Sequence, residues 1–178
     1  LIGRLYDALA EEYPFHEQLD SASIPAEMVP GIVQHRFRKG EREWPLVQLG
    51  PGVFTVNDTQ GYTWTDFRAR VVKGVNALFG IHPTVQDLAI DSLLLRYINA
   101  IQFNFDREDI FRFLQEQMKT GISLYPPLFE SAPVQRMPLE LDCRFAFRCT
   151  NPRAVITLKF ARGRRHDEDV LILSLIHI

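Results

Sequence analysis

The sequence predicts an α+β protein in which helices pack on one face of a mainly antiparallel sheet, giving two layers. Segments with apolar residues every three or four positions predict three helices. Short alternating runs, joined by turns such as Gly50-Pro51-Gly52 and Asn151-Pro152, predict antiparallel hairpins. Regular alternation of strands and helices, which a parallel sheet would need, is missing. The 178 residues fit one domain, so we expect a single domain over residues 1–178.

The first half of the chain predicts a helix and then a meander of three strands. Apolar residues recur every four positions in the helix, at Leu1, Leu5, Leu9 and Tyr13. Pro14 ends this helix, and residues 16–30, interrupted by further prolines, predict a surface connection. The three strands are predicted at residues 32–39, 44–49 and 53–57.

The middle of the chain predicts a second helix, a long strand and a third helix. Thr63 and Asp66 have the spacing of an N-terminal capping box for the second helix, which Gly80 would end. Residues 87–105 predict a strand, with a bend or bulge where Asn99 interrupts its apolar side. We expect Asp106 to cap the third helix.

The last third predicts another three-stranded meander. Residues 139–147 alternate strictly between apolar and polar, as a half-buried strand does. A turn at residues 150–153 leads into a second strand, and a charged tip at residues 162–169 leads into a final apolar strand.

Composition and charge narrow the functional classes. The net charge is −2, so a large nucleic-acid footprint, which usually gives a basic surplus, is not expected. Cys143 and Cys149 are six residues apart in one strand, a separation of about 20 Å that prevents a disulfide. We therefore expect two unpaired thiols in a reducing, cytoplasmic setting. No stretch is apolar for the roughly 20 residues that a membrane helix needs.

The sequence lacks the residue patterns of common catalytic and metal sites. It contains no P-loop, no Gly-x-Ser-x-Gly elbow, no Gly-x-Gly-x-x-Gly and no His-Glu-x-x-His. The five histidines and two cysteines do not have the spacing of metal ligands. We therefore predict no catalytic residues, no metal and no cofactor.

Two groups of residues are candidates for ligand binding. Tyr62 and Trp64 flank the start of the second helix, where free backbone N–H groups favour an anion and aromatic rings could stack on a ligand. Their structural interpretation is packing, with Trp64 holding the helix against the sheet and Tyr62 covering the Gly61 turn.

The second group lies in the long strand. Tyr97 and Asn99 share one face of it and Arg96 points to the other. Asn99 could stabilise a bulge through backbone hydrogen bonds, or it could line a pocket together with Tyr97. Arg96 is then a candidate contact for an anion.

Three motifs carry a resemblance to a known family. The run PLVQLGPGVFTVN, then Y-x-W-x-x-F, then L-R-Y-I-N-x-I resembles a sporadically distributed family of uncharacterised prokaryotic proteins defined by a sequence model. The similarity spans Leu1 to Ile172. Family members are longer, so the resemblance implies a fragment that lacks an N-terminal strand and the C-terminal end. The apolar tail, residues 174–178, departs from the acidic continuation in the family, and we assign it no function.

These observations favour a binding or regulatory protein over an enzyme. The resemblance implies an accessory protein of a mobile or defence-type locus and supplies no reaction. We expect a protein partner, without nucleic acid or membrane. The alternative is a small-ligand-binding or enzymatic domain with a pocket between helices and sheet, lined by the residues Tyr62, Trp64, Arg96, Tyr97 and Asn99.

Overall fold

The periodic segments form helices and antiparallel strands, as the sequence predicts. A computed structural model describes residues 1–130 and 133–178. The α+β class with antiparallel sheets is confirmed, and the eight strands divide between two four-stranded sheets. The chain separates into two compact units, Leu1–Ala89 and Ile90–Ile178. A single domain over residues 1–178 stays a prediction.

The first unit is a four-stranded meander with helices on one face. Its elements are α1 (Ile2–Leu9), β1 (Phe15–Gln18), β2 (His35–Arg38), β3 (Leu46–Gly50), β4 (Val53–Asn57) and α2 (Trp64–Ile81), with short 3-10 helices at Asp20–Ser23, Ala26–Met28 and Val85–Asp87. The strands pair in the order β1-β2-β3-β4. Leu5 and Leu9 of α1 are buried against Phe37 and Val47 of the sheet. Removing these four side chains from water supplies much of the driving force for this unit.

Of two sequence predictions for the first unit, one is wrong and one is confirmed. The segment predicted as a surface connection contains a strand, because β1 pairs with β2 from Phe15↔Arg38 to Gln18↔His35. Four residues are too few to show an alternation of apolar and polar positions, so it is the pairing with β2 that makes this segment a strand. The capping box is confirmed, since the Thr63 hydroxyl accepts the Asp66 N–H at 3.2 Å. Helix α2 continues past Gly80 to Ile81.

The second unit is a sheet of three long strands and one shorter one. Its elements are β5 (Leu95–Gln102), α3 (Ile110–Gln117), α4 (Pro127–Glu130), β6 (Asp142–Thr150), β7 (Arg153–Arg165) and β8 (Glu168–His177), in the strand order β5-β8-β7-β6. Ile110 and Leu114 of α3 are fully buried against Phe160 and Leu171, so α3 covers one face of this sheet.

Three predictions for this unit are corrected by the structure. Asp109 caps α3 in place of Asp106, because its Oδ1 accepts the N–H groups of Phe111 at 2.9 Å and Arg112 at 3.1 Å. The long strand begins at Leu95, not at residue 87. No bulge forms at Asn99, since the pairing of β5 with β8 is continuous from Leu95↔His177 to Gln102↔Val170.

Candidate functional site

The second sheet has two chemically different faces. Side chains alternate between the faces along each strand, so the face that carries Phe160 and Leu171 packs on α3. The other face carries Arg96, Ser174 and Lys159, and we call it the open face. It contains the candidate site.

A groove of about 590 Å³ runs along the open face. Its apolar wall includes Ile98, Ile172 and Ile176, and its charged lining includes Arg96, Arg144, Lys159, Arg162, Glu140 and Asp142. An apolar wall with a few convergent polar groups is typical of ligand-binding sites.

The strand register explains how these residues come together. Ser174 of the interior strand β8 lies opposite Ile98 on one side and opposite Lys159 on the other. Lys159 in turn lies opposite Arg144 of β6. One row across four strands therefore reads isoleucine, serine, lysine, arginine, with directly opposed side chains about 5 Å apart.

Ser174 is the most unusual member of this row. Only 6 % of its surface is exposed, and its Oγ has no hydrogen-bond partner among the described residues. A buried hydroxyl without a partner costs about 1–3 kcal/mol. Such a group needs a structural or functional explanation, and Ser174 is one of the residues that line the groove.

The cations of the groove are only partly neutralised. The Lys159 ammonium donates to Asp142 Oδ2 at 2.7 Å, and Arg162 is paired with Asp169. Neither Arg96 nor Arg144 forms a salt bridge with any residue that the structure describes. Opposed like charges such as Lys159 and Arg144 destabilise a sheet, and a bound anion would relieve that repulsion.

The predicted strand residues fall on both faces of the sheet. Arg96 lines the groove, which agrees with its predicted orientation away from Tyr97 and Asn99. Tyr97 is half-buried and lies on the α3 side, opposite Leu175. Asn99 is exposed on that same side, so it neither interrupts a buried strand nor stabilises a bulge.

Tyr62 and Trp64 belong to the first unit. Both contact Phe67 in the first turn of α2, with ring centroids 6.3 Å away in each case. Trp64 remains 51 % exposed and Tyr62 lies in the loop just before the helix. These contacts lie within the start of α2, so packing of Trp64 against the sheet and a ligand role for the two rings both stay predictions.

Sequence reasoning missed two polar clusters in the first unit. His16 Nε2 lies 3.2 Å from His35 Nδ1, and the His16 ring stacks on Phe37 at 4.9 Å. Arg70 reaches Asp58 at 3.0 Å and Glu12 at 3.4 Å, and Lys73 reaches Glu12 at 2.9 Å. The contacting residues are 12 to 61 positions apart in sequence, so no local pattern could reveal them.

Burial also changes the acid–base properties of the first unit. Desolvation lowers the pKa of His35, and the neighbouring His16 lowers it further. Desolvation raises the pKa of the buried Tyr13 phenol, and the neighbouring Glu12 carboxylate raises it further. Among residues 1–130 and 133–178, no group of three His, Cys, Asp or Glu side chains is positioned to hold a metal ion.

Ser174 is the groove residue that sequence reasoning missed. It belongs to the apolar tail to which we assigned no function, yet residues Ser174 to His177 form part of the interior strand β8. A serine within an apolar strand is the one sequence feature that could have indicated it.

Comparisons with known proteins add no further identification. No family model matches the chain, and neither the curated proteins nor the solved structures contain a match.

The cysteines at positions 143 and 149 are both unpaired. No helix within residues 1–130 or 133–178 is long and apolar enough to cross a membrane.

Proposed function

We propose that this chain is a non-catalytic binding protein whose open-face groove holds an anionic group attached to an apolar body. The observation that carries this proposal is Ser174, whose buried hydroxyl has no hydrogen-bond partner among the described residues and which lines the same groove as Arg96 and Arg144. A carboxylate, sulfonate or phosphate oxygen would accept the Ser174 proton and the arginine N–H groups. The isoleucines of the groove would contact the apolar body.

Binding fits this groove better than serine chemistry. A serine nucleophile needs a neighbouring base, and Lys159 is the residue opposite Ser174. The Lys159 ammonium already donates to the Asp142 carboxylate at 2.7 Å. An ammonium group carries only N–H donors, so Lys159 is suited to attract an anion and not to activate Ser174.

A cytoplasmic setting is part of the proposal. Cys143 and Cys149 both lie on β6 and both are free thiols. Unpaired thiols are typical of reducing compartments. The expected regulatory or accessory role follows if the anionic group belongs to a signalling molecule or to a partner protein.

Fluorescence titration with 8-anilinonaphthalene-1-sulfonate tests the groove directly. This dye combines a sulfonate with an apolar ring system, and N-phenyl-1-naphthylamine is its counterpart without the charge. We expect saturable binding of the sulfonate dye. Arg96→Gln should weaken it roughly tenfold, because a hydrogen bond to a charged group contributes about 1.5 kcal/mol.

Matched variants separate the groove from other apolar surface. Ser174→Ala should weaken binding of the sulfonate dye and leave binding of the uncharged dye unchanged, because only the sulfonate accepts a hydrogen bond from the Ser174 hydroxyl. Arg107→Gln is the control, since Arg107 is an exposed arginine of the same unit that does not line the groove. Equal affinities of the sulfonate dye for the wild type, Arg96→Gln and Ser174→Ala would reject the proposal.

A further inference from the structure

Strand β6 forms one edge of the second sheet. Its nine residues, Asp142–Thr150, pair with β7 from Asp142↔Ala161 to Thr150↔Arg153 without a bulge. On its other side, no strand pairs with it in the part of the chain that the structure describes. Long, regular edges of this kind can accept another strand, and proteins usually protect them with proline, lysine or a bulge.

The hydrogen-bond pattern identifies the backbone groups that face outward. The Arg162 N–H donates to the Leu141 carbonyl at 2.9 Å, so Leu141 and the odd-numbered residues after it bond to β7. Antiparallel strands alternate in this respect. The N–H and C=O groups of Arg144, Ala146 and Arg148 therefore face away from the sheet.

The side chains along this edge are symmetrical. The run Cys-Arg-Phe-Ala-Phe-Arg-Cys reads the same in both directions around Ala146. Arg144 and Arg148 lie on the open face, and Phe145 and Phe147 lie on the α3 side. The two phenylalanines are 39 % and 55 % exposed, which leaves an aromatic surface beside the free backbone groups.

Charge distinguishes between two candidate occupants of this edge, a second copy of this chain and an extended acidic segment. A second copy that paired along the full strand would place Arg144 opposite the Arg148 of the other copy, twice in each dimer. Like charges directly opposite each other destabilise a sheet. An extended segment with acidic residues at these two positions would instead form two cross-strand ion pairs.

We propose that β6 binds an extended, acidic segment of a partner protein by antiparallel strand addition. The segment carries two acidic residues four positions apart, opposite Arg144 and Arg148. The residues next to the acidic ones are apolar and cover Phe145 and Phe147. Backbone hydrogen bonds to Arg144, Ala146 and Arg148 supply affinity, and the alternating side chains supply specificity. Arg144 belongs both to this edge and to the groove, whereas Arg148 does not line the groove, so variants of Arg148 test the edge separately.

Fluorescence anisotropy with a labelled peptide containing Glu-Ile-Thr-Val-Glu tests this proposal on the full chain. We expect saturable binding that weakens with salt, and at least tenfold weaker binding of the matched Lys-Ile-Thr-Val-Lys peptide. N-methylation of the peptide threonine should abolish binding, because its N–H faces β6. N-methylation of the isoleucine should be tolerated, because its N–H faces away.

Protein variants complete the test. Arg148→Glu should weaken binding of the acidic peptide about tenfold and allow the basic peptide to bind. Arg107→Glu is the control, because Arg107 is exposed and remote from β6 in sequence, and it should change neither affinity. Circular dichroism checks that both variants keep the wild-type fold. The proposal is overturned if the two peptides bind equally, if methylation of the threonine is tolerated, or if sedimentation shows a dimer that Arg148→Glu strengthens and that excludes the peptide.

Discussion

His16 and His35 meet across β1 and β2, with Nε2 of His16 3.2 Å from Nδ1 of His35. His35 is buried, and desolvation together with His16 lowers its pKa. The other aromatic rings that contact the pair, among the residues that the structure describes, are those of Phe37 and Tyr6. No carboxylate among those residues forms a hydrogen bond with either imidazole, so protonation of His35 places a positive charge beside a second imidazole.

The first prediction is that the first unit loses stability in mild acid. His35 has a lower pKa when folded than when unfolded, so the unfolded state binds the proton first. The free energy of unfolding should be highest above the unfolded value of about 6.5 and fall as the pH drops below it. Both tryptophans, Trp44 and Trp64, lie in the first unit, so urea unfolding followed by tryptophan fluorescence reports it.

His35→Phe should flatten this dependence between pH 7.5 and 5.5, because the ring remains but no longer titrates. His166→Gln is the control, since His166 is exposed at the β7–β8 turn of the second unit. If His35→Phe retains the wild-type slope, the histidine pair is not the source of acid sensitivity.

The second prediction concerns a close backbone approach in the first unit. A Cβ atom at Gly50 would lie 1.9 Å from the carbonyl oxygen of Ile32. The carbonyl oxygen of Ile32 belongs to the backbone, so an alanine side chain would fit only if β3 moved away from the loop that contains Ile32. Gly50→Ala should lower the free energy of unfolding by more than about 2 kcal/mol, in the range of overpacking and backbone strain.

Gly80→Ala provides the matched comparison. Gly80 lies in α2, and nothing lies within 4 Å of an added Cβ. Alanine should therefore stabilise the helix by about 0.5–1 kcal/mol. Urea unfolding of the two variants should give shifts of opposite sign, and shifts of the same sign would contradict this account.

The third prediction concerns the ion pairs of α2. The Asp58 side chain is 3 % exposed and accepts a hydrogen bond from Arg70 at 3.0 Å. Asp58→Ala should destabilise the first unit by about 1–3 kcal/mol, because Arg70 then loses its 3.0 Å partner and retains its longer, 3.4 Å contact with Glu12. The loss should appear as a lower urea midpoint in tryptophan fluorescence.

Lys73→Ala is the control for the same network. The Lys73 side chain is about half exposed, although its ammonium lies 2.9 Å from Glu12. Solvent screens such pairs, so the variant should cost at most about 1 kcal/mol. A loss at Lys73 as large as that at Asp58 would show that burial does not control the strength of these pairs.

Local patterns predicted the elements whose information lies within a few residues. The capping box at Thr63 is present because its two partners are three positions apart. The β6–β7 hairpin is present because strict alternation on both sides of a short turn already defines the pairing. The cap of α3 moved from Asp106 to Asp109 because several nearby acidic residues can cap, and the docking of Ile110 selects one.

The candidate site, in contrast, depends on pairing between distant segments. Alternation along the strand predicts that Arg96 lies on the face opposite to Tyr97 and Asn99, as it does in the structure, and its role as an anion contact stays a prediction. Its neighbours in the groove, Arg144 and Ser174, lie 48 and 78 residues further along the chain. Sequence alternation assigns each residue to a face, but it does not indicate which strands are adjacent.

By itself, the sequence determined the α+β class, the antiparallel hairpins, the helix caps of shortest range and the unpaired state of Cys143 and Cys149. Those features depend on periodicity and on contacts between near neighbours. Only the tertiary structure decided that the strands divide into two sheets, that β8 lies between β5 and β7, and that Ser174 is buried there without a hydrogen-bond partner in residues 1–130 and 133–178. Strand order is set by the burial of apolar surface that many distant residues share, and no short segment carries that information.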